Sequence, residues 1–313
     1  MMKRWWISLF LLVLLHTASV LLYRNLLRQN SLNEQKQAAL DALPSYPAFW
    51  ALGDSHVLLG WNPEGQPGMF NFATTSEYYA LNLQRLHHLL QTRKKPLALI
   101  LPFELHSFSP LGRKLWLGHE MDDVFWASIY NPDLNPDEKS GSDFRRWWIG
   151  ARFFPYAGQF YQWTQVGKSP VYPLSPNGAV LSDEVYDGNP EAARKRARSH
   201  FPAGHQIDPL QVQSFFALLN LCRKEEIPVL LVQFPVHPAY RAEVPAQTIR
   251  FLDSLETTLP IRAVYARSIL DSCQNCFMDP DHLNRRGANA LMRLIQNEVL
   301  AGTIRPKIPA ATP

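Results

Sequence analysis

The chain has 313 residues, 46% hydrophobic and 19% charged, with a formal net charge of +4. That length can bury one large core or two small ones. The mild charge, with no basic motif interleaved with aromatics in a recognisable binding fold, excludes a nucleic-acid partner.

Trp5 to Tyr23 is almost wholly apolar, broken only at His16 and Thr17. A helix needs roughly 20 such residues to span a bilayer. Lys3 and Arg4 precede the run, and Trp5, Trp6 and Tyr23 stand where interfacial aromatics belong. Residues 5–23 are expected to be an uncleaved transmembrane signal anchor. A cleaved signal peptide, with only a poor small-residue site at Ala18, and a buried core helix are the competing readings. Lys3 and Arg4 face Arg24 and Arg28 across the run, so charge alone leaves orientation open. The short N-terminal flank and long C-terminal remainder favour an exported domain. Residues 24–46 are polar and read as a juxtamembrane stalk.

Phe49-Trp50-Ala51-Leu52 predicts a short buried strand ending at Gly53, and Met69 to Ala73 a second. Ser76 can cap a helix over 77–91, where Tyr79, Leu83, Leu86 and Leu90 recur at helical spacing. Pro96 to Phe103 is a near-continuous apolar run, as a central parallel strand requires. Asp208-Pro209-Leu210-Gln211 has a cap, a proline at the first position and a glutamine three residues after the cap. The helix it opens buries Val212, Phe215, Phe216, Leu219 and Cys222. Pro228 to Phe234 predicts another buried strand, Gln247 to Leu259 a helix, and Ile261 to Ala266 the last strand. Asn284 caps a final helix with Leu291, Leu294, Ile295 and Val299 inward. Strands alternating with helices indicate an α/β class with a parallel sheet.

Residues 107–207 break the alternation and are too long for an ordinary connection. They read as an aromatic-rich insertion, Trp116, Trp126, Trp147, Trp148 and Trp163 among its residues. A small core of its own is the plain reading; a glycan groove or membrane contact near Arg145-Arg146-Trp147-Trp148 is the sharper one. Arg194-Lys195-Arg196-Ala197-Arg198 reads as a solvated helix face, with an anionic polymer or headgroup as the alternative. His119-Glu120 with Asp122-Asp123 has no known ligand spacing and reads as a polar turn. Residues 301–313 form a tail.

Of the three cysteines, Cys222 reads as a small buried hydrophobe. Cys273 and Cys276 form C-x-x-C. A local disulfide, a redox motif and a zinc half-site are the three readings, and an exported domain favours the first.

Chemistry concentrates at two places. Gly53-Asp54-Ser55-His56 puts a serine at a strand-to-helix turn, where free backbone N–H groups favour an oxyanion. Asp279-Pro280-Asp281-His282-Leu283-Asn284 supplies a carboxylate and an imidazole three residues apart. Serine needs a base to become a nucleophile. His282 would take its proton and Asp279 would hold the imidazole tautomer. Asp281 could substitute for Asp279. His56, adjacent to Ser55, faces substrate or packs on the sheet edge. His237, in Phe234-Pro235-Val236-His237-Pro238, enters the pocket or lies in a surface loop.

These two blocks resemble the SGNH (GDSL-like) hydrolase superfamily over residues 47–105 and 208–300. Asp279-Pro280-Asp281-His282-Leu283-Asn284 followed by Arg285-Arg286-Gly287-Ala288 is similar to its membrane-anchored branch. That branch includes the D-alanyl transfer protein of teichoic acid and proteins linked to exopolysaccharide O-acetylation. The resemblance implies Ser55 as nucleophile, His282 as base and Asp279 as its partner. It also implies a three-layer α/β/α, flavodoxin-like fold over residues 47–300 with a parallel sheet of about five strands. Ester chemistry would need no metal or organic cofactor. The setting implied is a single-pass protein of the bacterial inner membrane, its domain in the periplasm or extracytoplasmic space. Partners implied are a cell-surface polysaccharide and a multi-pass membrane O-acyltransferase as acyl donor. Acyl transfer, a deacetylase or esterase activity, and a non-catalytic envelope scaffold are the functions to separate. The chain departs from the pattern at the oxyanion hole. Asn71-Phe72-Ala73-Thr74-Thr75 lacks the second block's glycine, and Glu104 stands near where the third block has asparagine. Gly53, Asp54 and Asn71 are the remaining oxyanion or substrate candidates.

Overall fold

The computed structural model describes residues 2–22, 32–66, 68–111, 173–202, 204, 206–259, 263–265 and 268–300. The expectations for Trp116 to Trp163, His119 to Asp123, residues 24–31 and the 301–313 tail lie outside that set, as does the side chain of Val299.

The two most apolar runs form the middle of a parallel sheet. Ala98–Pro102 (β3) and Val229–Gln233 (β4) are buried at every position and pair with Leu99 opposite Val229. Phe49–Ala51 (β1) lies between β3 and Met69–Asn71 (β2). Val264–Tyr265 (β5) adds an edge beside β4. The order is β2-β1-β3-β4-β5: four strands of three to five residues and a two-residue fifth. Central strands buried on both faces explain why β3 and β4 carry no polar alternation. In this order the chain reverses direction across the sheet between β1 and β3, and α/β sheets place their sites beyond the carboxyl ends of the strands at such a reversal.

The helices, in chain order, are Met2–Leu22 (α1), Leu32–Asp41 (α2), Ser55–Gly60 (α3), Tyr79–Thr92 (α4), Pro190–His200 (α5), Pro209–Lys224 (α6), Pro238–Ala242 (α7), Ala246–Thr258 (α8) and Arg285–Leu300 (α9). The main core holds Trp50, Leu52, Leu99, Leu101 and Leu231 of the sheet region with Tyr79, Leu86, Phe215 and Leu219 of α4 and α6. Each large side chain buried there contributes about 1.5–3 kcal/mol. Tyr79, Phe108 and Phe215 meet ring to ring, with Tyr79 at 4.8 Å from each partner. A second cluster joins α5 to α7 through Ala193, Ala197, Val236 and Tyr240.

Helix starts follow sequence signals in two places and depart from them in another. Asp208 Oδ1 accepts from Leu210 N–H at 3.0 Å, and Pro209 occupies the first turn of α6. Asn284 Oδ1 accepts from Gly287 N–H at 3.1 Å. Ser76, expected to cap α4, instead sits at φ 61°, and Tyr78 takes the cap position with no side-chain hydrogen bond. The α4 start is served from α6: Gln211 Oε1 accepts from Ala80 N–H at 3.2 Å. A long-range bond thus meets a donor that a local cap would otherwise satisfy.

The chain divides into two compact units, residues 1–37 with 115–172 and residues 38–114 with 173–313. The described part of the expected insertion from Pro173 onward belongs to the sheet unit. There Asn71 N–H donates to Asn177 O and Val180 N–H to Leu58 O. In the other unit, α1 is 21 residues long and exposes its side chains from Trp5 to Leu15. Among the described residues, no helix is long and apolar enough to cross a membrane. The transmembrane anchor expected over 5–23 is found only as this helix with an exposed apolar surface.

Candidate active site

The turn that carries Ser55 is built for close quarters. β1 ends at Ala51, and Gly53 has φ 155°. A Cβ there would lie 2.2 Å from Val57 Cγ2, so only glycine lets α3 fold back over the strand end. Asp54 caps the helix, its Oδ1 accepting from His56 N–H at 3.0 Å. Ser55 is the first helical residue and half-buried, and His56 behind it is buried. Consecutive side chains on a helix turn point apart, which separates the two.

The second half of the site comes from the loop before α9. His282 Nε2 lies 2.8 Å from Ser55 Oγ, and His282 Nδ1 lies 2.7 Å from Asp279 Oδ2. Asp279 Oδ1 accepts from the N–H groups of Asp281 (3.0 Å) and His282 (2.8 Å). The carboxylate is therefore fixed before it fixes the imidazole. Asp281 is not the substitute: its Oδ1 is 3.7 Å from His282 Nδ1. Cys273 and Cys276 are disulfide-bonded with Cα atoms 5.4 Å apart, and they precede this loop. Asn284 amide N–H groups donate to the carbonyls of Glu184 and Asn275, both at 3.0 Å. Gly287 is required here, since a Cβ would lie 2.1 Å from Cys276 O. Cys222, distant in sequence, is buried and free, and burial pushes its thiol up to about 12.

Two expected pocket residues serve the scaffold instead. The Asn71 amide donates to Val57 O and Trp61 O at 2.8 Å each, and its Oδ1 accepts from Ala73 N–H. It bolts the last carbonyls of α3 to the end of β2, so it has no amide hydrogen to offer an oxyanion. His237 caps α7, its Nδ1 accepting from Ala239 N–H at 3.2 Å, while its ring packs on Tyr186 and Phe277. Burial lowers its pKa. His237 N–H also donates to Pro280 O, which ties the β4 loop to the histidine loop.

Beneath the triad lies a buried polar cluster. Glu104 Oε1 accepts from Phe234 N–H at 3.1 Å, and Glu104 Oε2 is 2.7 Å from His56 Nδ1. The carboxylate that stands near the third block's asparagine position is thus held by Phe234 N–H on one oxygen and lies at ion-pair distance from His56 on the other. His106 Nε2 is 2.7 Å from Asp54 Oδ2. Asp281 Oδ2 is 3.1 Å from His56 Nε2, and Asp281 Oδ1 accepts from Arg196 Nε at 2.8 Å. His200 stacks on His106, their ring centroids 5.0 Å apart. Burial holds His200 well below its usual pKa, so it is neutral. Burial also opposes charge on His56, but Glu104, Asp281 and Asp54 outweigh it and favour positive charge there. Asp281 is likewise buried, yet His282, His56 and Arg196 hold it ionised well below the carboxylate range.

His106, Arg196 and His200 are the residues that local reading missed. Glu104-x-His106 directly after the central strand is the one signal that could have drawn attention to the cluster. Arg196 was hidden in a basic run whose other charged members are exposed or partly exposed. No family model matches the chain, and no curated protein matches it.

Proposed function

We propose that the chain is a serine acyl-transfer enzyme that passes through an acyl-Ser55 intermediate. The observation that carries this reading is the unbroken line Ser55 Oγ–His282 Nε2 and His282 Nδ1–Asp279 Oδ2, at 2.8 and 2.7 Å. His282 removes the Ser55 proton as Oγ attacks an ester carbonyl, then returns it to the leaving alcohol. Asp279 holds the tautomer and supports the imidazolium. Ser55 N–H, at the first position of α3, has no partner within the helix and can serve as an oxyanion donor.

The substrate class proposed is an ester of a bacterial cell-surface polysaccharide, with O-acetyl transfer to a sugar hydroxyl. A membrane-tethered, extracytoplasmic setting is supported by the exposed apolar surface of α1 and by the Cys273–Cys276 disulfide, which suits an oxidising compartment. A multi-pass O-acyltransferase would deliver the acyl group. Transfer to water would make the same triad an esterase, and the half-exposed Ser55 favours keeping that second reading.

The test is covalent labelling of the full chain in detergent with a fluorophosphonate. Wild type is expected to label, and Ser55→Ala and His282→Ala are not. Labelling that persists in Ser55→Ala, or a folded wild type that never labels, would remove the reading.

A further inference from the structure

The cluster beneath the triad is incomplete as a set of hydrogen bonds. His106 Nε2 faces Asp54 Oδ2 at 2.7 Å, and His56 Nε2 faces Asp281 Oδ2 at 3.1 Å. A ring N–H aimed at a carboxylate sets the tautomer and leaves Nδ1 as a lone-pair donor. Both Nδ1 atoms turn to one oxygen, Glu104 Oε2, at 2.7 Å from His56 and 3.5 Å from His106. Glu104 is held in place by Phe234 N–H on its other oxygen. His56 Nδ1 lies off the line of a hydrogen bond to Glu104 and is a buried nitrogen without a hydrogen-bond partner. Three lone-pair atoms therefore converge from residues no more than 5% exposed. A positive charge must lie among them, either a proton on His56 or a metal ion that all three atoms hold.

We propose that His56 Nδ1, His106 Nδ1 and Glu104 Oε2 bind one divalent first-row transition ion, zinc in the first instance. Two imidazoles and a carboxylate are a nitrogen–oxygen set suited to it. The three atoms lie within 4.8 Å of one another. Their separations from Glu104, 2.7 and 3.5 Å, bracket the about 3.3 Å between tetrahedral ligands at ordinary zinc distances. Asp54 and Asp281 stand where a metal-bound histidine keeps its outer carboxylate. Charge agrees: Asp54, Glu104 and Asp281 are three buried carboxylates, and Arg196 supplies one opposing charge. With His56 deprotonated, as a metal ligand must be, three minus one leaves two negative charges for a divalent ion to balance. Water would fill the fourth position. The ion would clamp the residue after Ser55 to the loop after β3, whether or not Ser55 carries acyl groups.

The experiment uses the full chain in detergent, stripped with a chelator, equilibrated with Zn²⁺ and desalted. Metal content is read by plasma mass spectrometry. The expected result is about one zinc per chain. Retention falls at least about tenfold in His106→Gln and in Glu104→Gln, and affinity weakens about 10–100-fold in Asp54→Asn. Ser55→Ala keeps the full complement. A folded wild type that retains no zinc overturns the proposal and leaves a proton as the cation. Zinc that survives both ligand variants also overturns it, because the ion then sits elsewhere. Should a ligand variant fail to fold, X-ray absorption of zinc-loaded wild type decides. Two imidazoles with oxygen sustain the site; sulfur, or fewer than two imidazoles, overturns it.

Discussion

Ser55 and His56 are neighbours in the chain and belong to two different worlds. Ser55, His282 and Asp279 form an outer line, with Ser55 half-buried and the Asp279 side chain 36% exposed. His56, Glu104 and His106 form an inner set in which no residue exceeds 5% exposure. Both sets pair imidazole with carboxylate at hydrogen-bond distance. Access to water is what separates them. An outer proton can leave and return as bonds form, which acid–base chemistry requires. An inner charge can only be balanced in place, which is a structural task.

The largest effect should come from the outer line. Ser55→Ala is expected to lower acyl-transfer turnover by about 10⁴–10⁶-fold while leaving the urea midpoint unchanged, because a small half-exposed hydroxyl is lost. A shifted midpoint would show that Ser55 also supports the fold. Asp279→Asn comes next, at about 10⁴-fold in turnover. If Asp281 could stand in, the loss would be far smaller, and the 3.7 Å gap to His282 says it should not.

The inner set should answer in stability. His56→Ala leaves Glu104 and Asp281 buried without their partner, at a cost of about 3–5 kcal/mol, read from denaturant unfolding of the sheet unit within the full chain. A variant that unfolds normally but loses turnover would erase the division drawn above. Asn71→Ala tests the boundary between the two sets. Loss of its bonds to α3 carbonyls should cost about 1–3 kcal/mol. An oxyanion donor would instead cost about 10²–10³-fold in turnover with little change in stability.

The outer line was legible because each half is local. Gly53-Asp54-Ser55 announces a tight strand-to-helix turn, and Asp279 and His282 lie three residues apart on one loop. The parallel strands β3 and β4 were legible for a similar reason, since burial on both faces leaves an apolar run. The inner set and the residues around it were not, because they stand at 54, 56, 104, 106, 196, 200 and 281 and meet only through the sheet topology. Arg196 reads as solvent-facing beside Arg194 and Arg198, yet its guanidinium reaches the buried Asp281. Composition counts charges and cannot say which one a fold turns inward. Asn71 and Gln211 were misread for the same cause. An amide can serve a local cap, an oxyanion or a distant backbone, and three-dimensional neighbours decide. Ser76 looked like a cap because residue type suited the role, but the long-range bond from Gln211 made a local cap unnecessary.

Ser55 and His282 are separated by 227 positions along the chain. Ser55 is made before its base, when the loop that holds the base has not yet left the ribosome. A chain threaded N-terminus first is thus inert until those 227 positions have followed Ser55. Its reactive hydroxyl is armed only when the loop that bears His282 has been made and has closed over the Ser55 turn. A nascent or prematurely stopped chain carries the nucleophile without the means to use it.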